Sequence, residues 1–229
     1  MTAIIYDMDG TIVHFQIDYI RARRNAINVL IKHGIPDGRY SIENSITESA
    51  RDARLFFKET LGYDADKIKN IMSQVNQQVV KIEMEAAIKA TAIPNIQDLL
   101  DFGRGNRLHQ IICTYNTNAA AELTLQTAKL SGYFDAIYGR DDVLKPKPNP
   151  SHLEEAVKEF GIRPKNSILI GDHSADIKLG KNFGCKTIGV DTEHNAGEVA
   201  DADFIVQPEH LASEAIRIIL DNYAIKTDY

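Results

Sequence analysis

The sequence predicts an α/β protein: a doubly wound, Rossmann-like parallel sheet with an all-helical domain inserted after its first strand. Two patterns carry this reading. After Pro94, short apolar runs alternate with helical periods, as expected of parallel strands covered by helices on both faces. Ahead of them a single β-branched run, Ala3-Ile4-Ile5-Tyr6, is cut off from the rest by a long stretch that reads only as helix.

The elements follow in order. The first strand ends abruptly in Asp7-Met8-Asp9-Gly10-Thr11. From Ile17 to about Lys89 apolar residues recur at helical spacing. Ile20, Ile27, Leu30 and Ile31 mark one stripe, and Ile68, Ile71, Met72, Val75, Val79 and Ile82 mark another. Gly34-Ile35-Pro36-Asp37-Gly38 and Gly62-Tyr63-Asp64 break this block into several helices, and Pro94 closes it. A helix at about 95–102 precedes strand Gln110–Cys113, and one at about 118–130 precedes strand Ala136–Tyr138. Helices at about 151–160 and 174–182 precede strands Ser167–Ile170 and Thr187–Val190. A last strand, Phe204–Val206, leads into a helix from about Pro208 to Asn222. The expected organisation is a core of residues 1–13 and 91–229 with a helical insertion at 14–90.

Composition narrows the function classes. At 229 residues, 44% hydrophobic and 25% charged, the chain can bury a full core. A net charge of −6 disfavours nucleic-acid binding through bulk attraction to phosphates. Cys113 and Cys185 sit in short apolar runs and read as small buried strand residues, not as catalytic groups. No apolar stretch approaches the ~18 residues a membrane span needs, and no basic-then-apolar leader opens the sequence, so a cytoplasmic protein without membrane contact is expected.

In an open parallel sheet, ligands bind outside the carboxyl ends of the strands. Here those ends are chemically one-sided: Asp7 and Asp9 after the first strand, Thr114 and Asn116 after the second, Lys145 in the loop after the third, Asp172 after the fourth. Asp7 and Asp9 are two apart on extended chain and share a side, so they repel unless a cation or shared proton intervenes. Asp172 and Asp176, four apart at a helix start, lie on one side of its first turn. A carboxylate cluster without His or Cys suits a hard oxygen-seeking ion, which favours Mg²⁺ over Zn²⁺. Lys145, in the stiff Lys145-Pro146-Lys147-Pro148 segment, is placed to neutralise an anion or orient a carboxylate. The Thr114 hydroxyl and the backbone amides of Tyr115 and Asn116 are candidate phosphoryl-oxygen ligands.

In this order, Asp-x-Asp-Gly-Thr, Thr, Lys-Pro-x-Pro and Gly-Asp-x-x-x-Asp, the sequence resembles the haloacid dehalogenase-like superfamily. The insertion is similar in position to the helical C1 cap of subfamily I, the phosphoglycolate phosphatase-like branch. The resemblance implies that Asp7 is a nucleophile that forms an aspartyl-phosphate and Asp9 a general acid and then base. It implies that Thr114 and Lys145 hold phosphoryl oxygens. Mg²⁺ would be bound by Asp7, Asp172 and the Asp9 carbonyl, with Asp176 supporting from behind. An Asp at position 9 disfavours the dehalogenase and phosphonate-cleaving branches of this family.

The expected function is Mg²⁺-dependent hydrolysis of a small phosphate monoester, phosphoglycolate-like or a sugar phosphate, by a monomer or homodimer. A phosphomutase built from the same residues is the alternative. A response-regulator receiver shares the chemistry but not the motif order or the large insertion, and a silent binding protein is at odds with a full motif set. Arg51, Arg54 and Lys58 share a helix face and, like Arg140, are open as substrate contacts or as solvated charges. His14 and His173 read as loop histidines.

Overall fold

The structure is a computed structural model that describes residues 2–14 and 16–223. The chain forms two compact units, one drawn from both ends of the sequence (up to Gln16 and from Ala87 onward), the other Ile17–Ala86.

The first unit is a six-stranded sheet of β1 (Ala3–Tyr6), β2 (His109–Cys113), β3 (Ala136–Tyr138), β4 (Ser167–Gly171), β5 (Lys186–Val190) and β6 (Phe204–Val206). Its order is β3-β2-β1-β4-β5-β6 and every pairing is parallel. β1 is therefore central: Tyr6 registers with Ile112 of β2 on one side and Ile170 of β4 on the other. The direction of winding reverses beside β1, which makes the carboxyl ends of β1, β2 and β4 the natural crevice of the fold.

Alternation along the strands splits the core into two layers. Ile4, Tyr6, Ile112, Ile168, Ile170 and Ile188 face one way, against α4 (Ile96–Gly105), α5 (Asn118–Thr127) and α8 (Leu211–Asn222). Ala3, Ile5, Ile111, Cys113 and Leu169 face the other, against α6 (Glu154–Phe160) and α7 (Ser174–Phe183). Each fully buried isoleucine contributes roughly 1.5–3 kcal/mol of transfer free energy, so register at β1 is fixed and with it the position of Asp7.

Two expected helices differ at their starts. The segment expected at about 151–160 opens as a 3₁₀ turn, Pro150–Leu153, before α6, and the last helix opens as Pro208–His210 before α8. In both a proline occupies the first turn, where its fixed φ and missing N–H are tolerated. Cys185 is buried but lies one residue ahead of β5.

The second unit consists of α1 (Tyr19–Lys32), α2 (Ile46–Glu59) and α3 (Ala65–Ala87). Its core joins Ala26 and Leu30 of α1 to Ala53 and Phe57 of α2 and Ile71 and Val75 of α3. The stripe expected in α1 is corrected: Ile20 is exposed, and the buried positions are Ala22, Ala26 and Leu30, with Ile27 and Ile31 at the margins. Small residues at i and i+4, Ala22 and Ala26, allow close approach of a neighbouring helix, and Leu30 one turn on completes the buried stripe.

Candidate active site

The carboxylates of Asp7, Asp172 and Asp176 come together, each buried, with one oxygen of each within 4.8 Å of the others. β1 and β4 set this directly, since the Asp7 N–H donates to the Ile170 carbonyl at 2.8 Å and Asp172 follows Gly171 at the end of β4. After Asp7 the chain turns sharply, with the Thr11, Ile12 and Val13 amides all donating to the Met8 carbonyl. Gly10 makes the turn possible twice over. Its φ is +77°, and a Cβ there would lie 2.2 Å from Oδ2 of Asp172. Gly171 is constrained by close approach alone, since a Cβ there would lie 2.4 Å from that of Asp176.

A single ammonium ties the cluster. Nζ of Lys147 donates to Oδ1 of Asp7 at 2.6 Å, to Oδ1 of Asp176 at 2.7 Å and to the Cys113 carbonyl at 3.2 Å. Lys147 is buried, whereas Lys145 is exposed. The lysine expected at the site is thus corrected from Lys145 to Lys147. The reason is where the loop is anchored. The Lys147 N–H donates to Nδ1 of His152 at 2.9 Å and its carbonyl accepts from the Tyr115 hydroxyl at 2.5 Å. The Lys145 carbonyl accepts from the Ser151 hydroxyl at 3.3 Å, and its exposed side chain lies outside the cluster.

The electrostatics follow from burial. Desolvation works against the Lys147 ammonium, but Asp176 and Asp7 outweigh it and hold its pKa well above the usual lysine value. Burial, and after it the charge of Asp7, pushes the Asp172 carboxyl above the ordinary carboxylate range. Asp176 is likewise raised by burial, against the opposing pull of Lys147. Asp7 and Asp176 share the one ammonium and Asp172 lies beside them without it, so ionising all three leaves negative charge that a divalent cation would offset. With oxygen donors alone, the residues fit Mg²⁺.

The other expected residues are placed as follows. The Asp9 carboxylate is not among those three; its Oδ2 accepts from Nδ2 of Asn116 at 2.7 Å. Thr114 is buried, its N–H donates to the Tyr138 carbonyl, and its Oγ1 accepts from the Asn116 N–H at 3.1 Å. The Asn116 amide, a candidate phosphoryl ligand by sequence, donates here to the Thr114 hydroxyl beside it. Tyr115 is exposed on its ring but tied through its hydroxyl to Lys147. Oδ2 of Asp176 accepts from the His173 N–H at 3.2 Å, and Nδ1 of His173 accepts from Ala175, so the pair caps α7. His14 is exposed. Nη1 of Arg140 braces the Tyr115 carbonyl at 2.8 Å. Arg51, Arg54 and Lys58 are exposed on α2. Burial pushes the Cys113 thiol up, as befits an inert core residue.

Sequence reasoning missed Asn195 and Thr192. Nδ2 of Asn195 donates to Oδ2 of Asp172 at 2.8 Å, and the Thr192 hydroxyl does so at 3.4 Å. The available signal was their place just beyond Val190, another strand end on the same rim.

The family is decided by a match to the whole motif frame. The model of the haloacid dehalogenase-like hydrolases matches residues 4–190. The chain belongs to that family. Among haloacid dehalogenase-like relatives, a phosphoglycolate phosphatase of Shigella dysenteriae is 24% identical over 86% of this chain and 84% of its own length. The pyrophosphatase PpaX of Bacillus velezensis is 25% identical over 83% of each chain. An uncharacterized hydrolase of Saccharomyces cerevisiae is 28% identical over 81% of this chain and 75% of its own. Among solved structures, a β-phosphoglucomutase of Clostridium difficile is 22% identical, with a TM-score of 0.71 and coverage of 97% and 99%. That likeness supports the haloacid dehalogenase-like fold. Among the described residues no helix is long and apolar enough to cross a membrane.

Proposed function

We propose that this hydrolase is a Mg²⁺-dependent phosphatase of small phosphate monoesters that works through an aspartyl-phosphate on Asp7. The observation that carries the reading is the ammonium of Lys147 between Asp7 and Asp176, beside Asp172, at the rim where the winding of the sheet reverses. An attacking carboxylate and a fixed positive charge side by side suit phosphoryl transfer, which needs positioning and charge neutralisation above all.

In this reading the Asp7 carboxylate attacks phosphorus, the P–O ester bond breaks, and Asp9 gives its proton to the departing oxygen. Asp9, now a base, takes a proton from water as that water attacks the phosphorus and releases inorganic phosphate from Asp7. Asn116 orients Asp9 through its 2.7 Å hydrogen bond. Because Oγ1 of Thr114 already accepts from Asn116, its own proton is the one to offer a phosphoryl oxygen. Lys147, always charged here, holds a second oxygen and Asp7 together. Mg²⁺, held by Asp7, Asp172 and the Asp9 carbonyl, would supply neutralising charge for the phosphate. The helical unit Ile17–Ala86, inserted after β1, corresponds in chain position to the cap that the resemblance implies.

The relatives named as phosphoglycolate phosphatases put a two-carbon phosphoester first among substrates to try. The test is Mg²⁺-dependent phosphate release across phosphoglycolate, pyrophosphate and sugar phosphates, with Asp7→Asn as control. Release from one compound far above the others, abolished by Asp7→Asn, is the expected result. No release from any of them by folded protein would reject the phosphatase reading in favour of the mutase.

A further inference from the structure

We propose that His152 is a positioning residue that sets Lys147 in register with Thr114, an inference that rests on the phosphoryl-transfer reading of the site. His152 is fully buried in the 3₁₀ turn Pro150–Leu153. Its Nδ1 accepts from the Lys147 N–H at 2.9 Å, and its Nε2 lies 3.1 Å from the Tyr138 carbonyl. An Nδ1 that accepts carries no proton, so the ring is the neutral Nε2–H tautomer and donates to Tyr138. The same Tyr138 carbonyl also accepts from the Thr114 N–H at 3.0 Å.

One carbonyl oxygen at the end of β3 thus holds the two residues assigned to the phosphoryl oxygens: Thr114 directly, and Lys147 through an imidazole. Burial and then the charge of Lys147 depress the His152 pKa, which keeps the ring in the form the two bonds require. The Lys147 loop is further held by the Tyr115 hydroxyl on the Lys147 carbonyl and by Nδ2 of Asn182 on the Pro148 carbonyl at 3.2 Å. His152 alone among these contacts joins the lysine loop to the carbonyl that holds Thr114.

The test compares His152→Leu, which keeps bulk and loses both bonds, with His152→Asn, which retains an acceptor for the Lys147 N–H. Turnover of p-nitrophenyl phosphate is measured with thermal melting and amide hydrogen exchange at Lys147. We expect His152→Leu to lower kcat by about 100-fold, the scale on which a small misplacement of a catalytic group acts, with KM little changed. His152→Asn should recover much of that loss and restore slow exchange at the Lys147 amide, even if both variants melt alike. Wild-type kcat in His152→Leu, or His152→Asn no better than His152→Leu in kcat and exchange, would overturn the proposal. Should the wild type itself release no phosphate, the phosphatase reading falls, while unchanged Lys147 exchange in His152→Leu would still reject the positioning role.

Discussion

Nζ of Lys147 lies 2.6 Å from Oδ1 of Asp7 and 2.7 Å from Oδ1 of Asp176, and all three groups are buried. A buried ion pair gains little over a well-packed apolar substitute, but removing one partner leaves charge uncompensated. Lys147→Met should therefore abolish phosphate release and cost about 3–5 kcal/mol in denaturant unfolding. Lys145→Met, at an exposed side chain, should change stability by less than about 0.5 kcal/mol and leave turnover within a few-fold. Loss of activity in Lys145→Met but not in Lys147→Met would reverse the assignment.

Cation binding should register in stability. A ligand at 100 times its Kd adds about 2.7 kcal/mol to the folded state, so Mg²⁺ should raise the melting temperature of the wild type. Asp172→Ala removes one of the three clustered carboxylates and should erase most of that rise. An equal rise in Asp172→Ala would place the ion elsewhere.

Gly10 faces Asp172 so closely that a methyl group cannot be added without displacement. Gly10→Ala should lose activity and, from the strained φ of +77° together with the clash, at least about 1 kcal/mol of stability. Its Mg²⁺-induced stabilisation should shrink in parallel, because the carboxylate pushed aside is a proposed metal ligand. Calorimetry with Mg²⁺ reads this without turnover, and wild-type Mg²⁺ affinity would contradict it.

His152 gives a pH dependence of defined sign. Its folded pKa is depressed below 6.5 by burial and then by Lys147, so the unfolded chain takes up the proton first as pH falls. Its stabilising contribution is present above pH 6.5 and is lost below it, by at most about 1.4 kcal/mol per pH unit. The unfolding free energy of the wild type should fall more steeply than that of His152→Asn between pH 7 and 5. Parallel curves would mean that the folded ring takes up its proton as readily as the unfolded chain does, against the neutral tautomer assigned to it.

Strand ends and their carboxylates were legible because the chemistry follows from period: a β-branched run stops, and Asp-x-Asp-Gly begins. The position of Asp172 followed from the same logic applied to β4. The lysine was not legible in this way. Two Lys-Pro pairs stand side by side, and the choice between them depends on a hydrogen bond from Lys147 to a histidine five residues on. That histidine read as an ordinary member of the helix expected at 151–160, because nothing local announces that Pro150 opens a 3₁₀ turn aimed back at the loop. Asn195 stands five residues beyond the end of β5, so the strand-end logic marks its neighbourhood on the rim, while its bond to Asp172 depends on the loop that follows Val190. In α1 the larger isoleucines suggested a seam that the smaller alanines in fact provide.

The central claim is that Asp7 carries the phosphoryl group. The most direct measurement is borohydride reduction of the protein quenched during turnover of its best ester, followed by peptide mass spectrometry. The account predicts homoserine at position 7, dependent on substrate and Mg²⁺ and absent in Asp7→Asn. Reduction at Asp172 or Asp176 instead, or undiminished turnover by Asp7→Asn, would contradict it.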